Sequence, residues 1–156
     1  MYKKFALLTL SAALLHGCAS VNLESEIAGT QAKQFDKPAD GSANLYIYRA
    51  TKAGQALKKD VWLNGECVGE TANNVFFLKE IAGGGTEHTV STESEFSPNH
   101  LTFTAESGTN YYVQQYIKMG VFVGGANLRL VDEAKAKEKI KKLKLATQGN
   151  CSKPHP

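Results

Sequence analysis

The sequence lacks the patterns that carry most enzymatic chemistry. It has no Gly-x-Ser-x-Gly elbow, no phosphate-binding loop and no His-Glu-x-x-His pair. Beyond residue 17 there are three histidines, His88, His100 and His155, none within metal-ligand spacing of another or of a cysteine pair. No cofactor site follows from such a set. Residues 83–85 are three glycines, but a phosphate cradle needs a helix N-terminus behind it, and a strand-like pattern follows instead. They read as a hairpin turn. Charge of one sign is also lacking, with 18 basic against 15 acidic residues. No nucleic-acid partner is expected of a chain so nearly balanced.

Long apolar runs are missing too. Residues 5–15 form the main one, eleven residues against the roughly 20 that a membrane-spanning helix needs. Lys3 and Lys4 precede it, and Leu15-His16-Gly17-Cys18 follows. A cationic head, a short apolar stretch and small residues make a secretory signal, so residues 1–17 are expected to be removed on export. Cys18 directly after Gly17, with Leu15 three positions before it, resembles the lipobox at which bacterial lipoproteins are cut and diacylated. His16 departs from the Ala, Ser or Thr usual at that position. The alternative is an ordinary signal cut after Ala19. The lipoprotein resemblance implies a membrane partner held through the lipid on Cys18, and Ala19 after it resembles the outer-membrane sorting pattern, which puts the protein on the periplasmic face.

Removing residues 1–17 leaves 16 basic and 15 acidic residues, so the net charge falls from +3 to +1. What remains is long enough for one domain with one core. Two cysteines are left once Cys18 is assigned to lipid, and an oxidising periplasm favours pairing Cys67 with Cys151. Closing that loop stabilises by roughly 4.5 kcal/mol in the chain-entropy model. Two unpaired thiols are the alternative.

Residues 18–44 read as a lipidated tether, rich in Ser, Gly, Asp, Gln and Lys and without sustained apolar period. Some 25 flexible residues would hold the domain roughly 25 to 30 Å from its anchor, with local docking of Val21, Leu23, Ile27 and Phe35 as the alternative. Residues 45–146 are written mostly at strand period. Leu45-Tyr46-Ile47-Tyr48-Arg49 opens the series, and Val61-Trp62-Leu63 meets Asn64-Gly65, the strongest short hairpin signal. Residues 76–81, 88–92, 101–105 and 110–119 continue it, with a turn at Ser107-Gly108. Short turns at this spacing predict a mainly β, antiparallel β-sandwich or barrel. Residues 131–144 predict one C-terminal helix, with Ala136, Ile140 and Leu143 on one side. Six lysines between Lys135 and Lys144 are interrupted by acids and read as a solvated face, and Lys142-Leu143-Lys144-Leu145 has the alternation of an edge strand. Gly120, Gly124 and Gly125 read as close backbone packing or a bulge. Residues 147–156 form a tail.

Several of these stretches are shared with a known family. Leu45-Tyr46-Ile47-Tyr48-Arg49, Leu63-Asn64-Gly65-Glu66, Gly69-Glu70-Thr71, Tyr111-Tyr112-Val113 and residues 119–125 resemble the uncharacterised bacterial lipoproteins carrying domain of unknown function 2846, over about residues 36–146. The hairpin with Gly69-Glu70-Thr71 is similar to the small transthyretin-like sandwiches called PEGA domains. That resemblance implies a fold and no reaction.

If Leu45 and Ile47 face the core, Tyr46 and Tyr48 point away from it; if Val113, Ile117 and Met119 face it, Tyr112 and Tyr116 point away as well. The four tyrosines would then offer a protein or glycan partner an aromatic platform, unless cross-strand pairing or the C-terminal helix covers them. The expectation is a non-enzymatic outer-membrane lipoprotein acting as a binding or structural module of the envelope. The alternative is an envelope hydrolase whose site is assembled from scattered residues.

Overall fold

A computed structural model describes residues 19–155. The expected signal segment, residues 1–17, and Cys18 with its expected lipidation lie outside the described residues. Within them the order is α1 (Glu26–Ala32), β1 (Ser42–Arg49), β2 (Lys59–Leu63), β3 (Glu66–Thr71), β4 (Val75–Ala82), β5 (Thr86–Thr92), β6 (Asn99–Ala105), β7 (Asn110–Lys118), β8 (Gly125–Leu130), α2 (Glu133–Ile140) and β9 (Lys144–Leu145). Among the described residues the chain is mainly β, with two sheets and no closed barrel. One sheet runs β8-β7-β1-β4-β9 and the other β3-β2-β5-β6.

The pairing is not wholly antiparallel. β1 pairs with β7 in parallel, Ile47 opposite Val113, and β4 pairs with β9 in parallel. Parallel neighbours require a long crossover; between β1 and β7 it carries the four strands of the second sheet together with β4. The turn chemistry is met where it is most specific. Asn64 and Gly65 both take positive φ, 51° and 85°, closing β2 onto β3 as a two-residue hairpin. Gly69, at φ 153°, leaves room that a Cβ would fill 2.7 Å from the Phe77 ring.

One apolar cluster draws Leu45 and Ile47, Phe77 and Val113 from the first sheet and Val61, Val90 and Phe103 from the second. A second cluster lies on the other side of the first sheet. There Tyr46, Tyr48, Phe76 and Tyr112 meet Phe35 and the Ala136, Ile140 and Leu143 row of the α2 region. α2 is started by Asp132, whose carboxylate accepts from the Ala134 and Lys135 amides.

The tether expected over residues 18–44 is corrected from residue 19 onward. Ser25 caps α1 by accepting from the Ala28 amide, Leu23 bridges to Ala146, and Phe35 and Ala32 are buried. Burying Phe35 against Tyr46 and Tyr112 offsets the ordering entropy of a segment whose helix is only seven residues long. The domain therefore begins well before residue 45, and a second helix joins the one expected.

The tail is fixed as well. Cys67 and Cys151 lie at disulfide-bonding distance, their Cα atoms 6.0 Å apart. The buried Asp60 carboxylate accepts from the Ser152 amide at 3.0 Å, the Ser152 hydroxyl at 2.8 Å and the Lys153 amide at 2.9 Å.

At the end of β1 the fold buries a charge. Arg49 is fully buried, and among the described residues no carboxylate pairs with it. Its guanidinium donates instead to the carbonyls of Leu57 at 2.7 Å, Thr71 at 3.4 Å and Gly54. Desolvation pulls its pKa down to about 10, so it stays protonated at neutral pH. Replacing it strands those carbonyls. Arg49→Met is expected to cost about 3 kcal/mol or more, seen as a drop of roughly 10 °C in melting temperature. A loss within about 0.5 kcal/mol would show that the cation is dispensable.

Candidate interaction surface

The tyrosine platform does not exist as a surface. Tyr46, Tyr48 and Tyr112 do lie off the core row, and Tyr46 stacks on Tyr112 with centroids 5.2 Å apart. All three are nevertheless buried, because Phe35 and α2 lie over them. Tyr46 donates to the Ala32 carbonyl at 3.1 Å, and burial pushes its hydroxyl up to about 12. Burial and the nearby Glu133 charge likewise raise Tyr112. Tyr116 is only partly covered and carries the Arg129 guanidinium over its ring at 5.3 Å. The signal that could have revealed this was the unbroken run of large residues from Leu45 to Arg49 in β1, which marks a strand buried on both faces.

His88 stands apart from the other two histidines, whereas the rings of His100 and His155 lie with centroids 6.4 Å apart. His88 bonds Asn64 Nδ2 at 3.0 Å and the Ala82 carbonyl at 2.8 Å, a pairing that fixes the tautomer with the proton on Nε2. His100 Nδ1 sits 2.7 Å from the hydroxyl of Ser91, itself buried. His155 packs edge-on against Trp62 at 5.4 Å. Among the described residues no group of three or more His, Cys, Asp or Glu is placed to hold a metal ion.

The distinctive surface is one end of the molecule. β1 and β7 run parallel, so the loop after each leaves at the same edge. The β1–β2 loop and the β7–β8 loop touch there: a Cβ on Gly54 would fall 2.7 Å from Ile117 Cγ1, and one on Gly124 would fall 2.8 Å from Leu57 Cδ1. The close packing expected of Gly124 is thus present. Arg49 ties the first of these loops down through Gly54 and Leu57. The β5–β6 loop joins through Glu95, whose carboxylate accepts from the amides of Val121 at 2.5 Å, Val123 at 3.1 Å and Phe122.

That clamp holds apolar side chains out into solvent. Met119 is 95% exposed, Phe122 84%, Phe96 78%, Val121 75% and Val123 57%. Met119, expected on the core row, has left the strand. Large apolar groups gathered at one tip mark a contact surface rather than scattered exposure. The sequence signal was available in Met119-Gly120-Val121-Phe122-Val123-Gly124, an apolar stretch between glycines with no polar face to alternate with.

The N-terminal end of the described chain lies at the same edge. The Ala19 amide donates to the Gln55 carbonyl at 3.2 Å, within the loop that Arg49 holds. Beside them is a groove of about 640 Å³ lined by Ala19, Gln55, Lys52, Lys139, Lys142 and Lys144. Lys142 pairs with Glu138 at 3.8 Å; among the described residues the other three have no acidic partner within 4.0 Å.

The profile described as "Protein of unknown function (DUF2846)" matches residues 39–126. The chain belongs to the DUF2846 family. An uncharacterised protein of Haemophilus influenzae is 50% identical over 135 residues, which covers 86% of this chain and 79% of that protein. No solved structure matches. The DUF2846 match spans β1 to the start of β8, so it includes Arg49, the Glu95 clamp and the apolar tip but not α2 or the tail.

The clamp gives a pH prediction. Desolvation raises the Glu95 carboxyl, but the amides of Phe122, Val121 and Val123 outweigh it and hold it below the ordinary glutamate value of 4.5. A depressed pKa means that the clamp is fully formed above 4.5 and is lost as pH falls through the lower, folded value. The amide protons of residues 121–123 should therefore titrate together with one midpoint below 4.5. Glu95→Gln should remove that titration. A midpoint at or above 4.5, or three unrelated ones, would contradict the clamp.

Proposed function

We propose that this DUF2846 protein is an outer-membrane lipoprotein, carried on the periplasmic face by acyl chains on Cys18. Its domain is a non-enzymatic binding or structural module of the envelope, built as a transthyretin/PEGA-like β-sandwich. The observation that carries the reading is the eleven-residue apolar run 5–15, whose last residue opens Leu15-His16-Gly17-Cys18. Acyl chains contribute about 0.8 kcal/mol per buried methylene, so two or more on one terminus anchor a protein durably.

Other features support it. The Cys67–Cys151 pair at bonding distance suits an oxidising compartment outside the cytoplasm. The position of Ala19 against Gln55 suits an anchor at residue 18, because it leaves the domain one residue from the lipid. Two apolar clusters on the two sides of the first sheet suit a sandwich with helices added outside. Each histidine serves a packing or hydrogen-bonding role within the fold, so the site chemistry favours contact over turnover.

The decisive experiment is intact mass of the protein extracted from envelopes. The mass should correspond to a chain starting at Cys18 with acyl chains added, and Cys18→Ser should abolish both the added mass and membrane retention. An unmodified chain beginning at Ser20 would overturn the proposal.

A further inference from the structure

We propose that the apolar tip docks into the lipid bilayer itself, so that the domain stands on the membrane instead of hanging from it. This rests on the lipoprotein reading above, and it names the occupant of the surface that reading leaves open. Four observations converge on one end of the molecule. The described chain starts there, with Ala19 bonded to Gln55. Phe96, Met119, Val121, Phe122 and Val123 project there. Lys52, Lys139, Lys142 and Lys144 line the adjoining groove. The ordered residues 19–24 leave no slack between the domain and residue 18, since Glu24 bonds the Leu145 carbonyl and Thr147 bonds the Asn22 carbonyl.

The chemistry at that end suits a bilayer in layers. Phenylalanine, methionine and valine at loop tips partition into the acyl region, and lysines around them meet anionic head groups. The acid within the tip would oppose insertion if it were bare. Glu95 is not bare, because its carboxylate is spent on three backbone amides that would themselves be costly to place in lipid without partners. Glu138 pairs with Lys142, and Glu93 with Lys153, so the neighbouring acids are also matched. A soluble protein partner would need a complementary groove, whereas a bilayer accepts two blunt loops of any outline. Burial of each phenylalanine in lipid would strengthen membrane contact about tenfold or more.

The test uses the processed protein purified from envelopes and reconstituted in vesicles of phosphatidylglycerol and phosphatidylethanolamine. A spin label is attached through Phe122→Cys at the tip, and separately through Glu106→Cys on the exposed turn after β6. Cys67 and Cys151, paired with each other, do not compete for the label. The label at position 122 should be accessible to oxygen and shielded from a water-soluble nickel reagent; that at position 106 should show the reverse. Equal exposure of both labels to the nickel reagent would overturn the proposal. The mass of the same preparation reports acylation independently. Should it carry no acyl chains, the anchoring reading fails, and the unanchored chain is sedimented with the vesicles instead. Binding that drops at least tenfold in Phe96→Ser/Phe122→Ser would then uphold the docking loops, and absence of binding would overturn them.

Discussion

The guanidinium of Arg49 is the constraint on which the rest of this structure depends. It stands at the end of β1 with carbonyls from the β1–β2 loop and from Thr71 around it. Carbonyl dipoles replace the water that burial removes, and a charge is thereby held without an acid. The loop it gathers meets Ala19 on one side and the β7–β8 loop on the other. Polar contacts continue inward from the same point. The Thr71 hydroxyl lies between the Lys59 carbonyl and Gln115 Oε1; Gln115 Nε2 donates to Thr92 Oγ1 at 2.7 Å, and Thr92 Oγ1 donates to the Asp60 carbonyl at 2.9 Å. Asp60 then fixes Ser152 and Lys153. One buried network therefore links both sheets with the tail, and each member is costly to leave unpaired.

Much of the fold was legible because strands and turns are written locally. Asn64-Gly65 needs positive φ at both residues and has it. Leu101, Phe103 and Ala105 alternate as a half-buried strand, and the edge-strand alternation at Lys144-Leu145 is realised as β9. What failed was everything decided by long-range covering. Tyr46, Tyr48 and Tyr112 point where alternation puts them, yet alternation cannot say whether a second layer lies above. That layer comes from α2 and from a mostly polar segment in which Val21, Leu23, Ile27 and Phe35 are scattered without a period, Phe35 being the one of them that joins this cluster. The parallel pairing of β1 with β7 is invisible for the same reason, since register between strands some sixty residues apart is set by the shared core and not by any turn. The apolar tip was legible in residue type but not in place: only the parallel pairing brings the β7–β8 loop to the Arg49 end.

Ordering residues 19–44 changes the mechanical reading of the protein. A coil of that length would let the domain roam over tens of ångströms, and its orientation would carry no meaning. A segment threaded between β9 and the β1–β2 loop instead gives the molecule a fixed lower face. In the membrane-standing arrangement proposed above, the acyl chains on Cys18 would hold the domain, and the apolar loops and lysines, each weak alone, would orient it through proximity.

That account turns on whether residues 19–24 are part of the fold, and amide hydrogen exchange answers it most directly. In the purified protein, the amides of Glu24 and Thr147, which bond Leu145 and Asn22 across the join, should be protected to nearly the same degree as Ile47 in the central strand β1. Exchange of Glu24 at the rate of an unstructured peptide, with Ile47 still protected, would mean a free tether and would contradict the account.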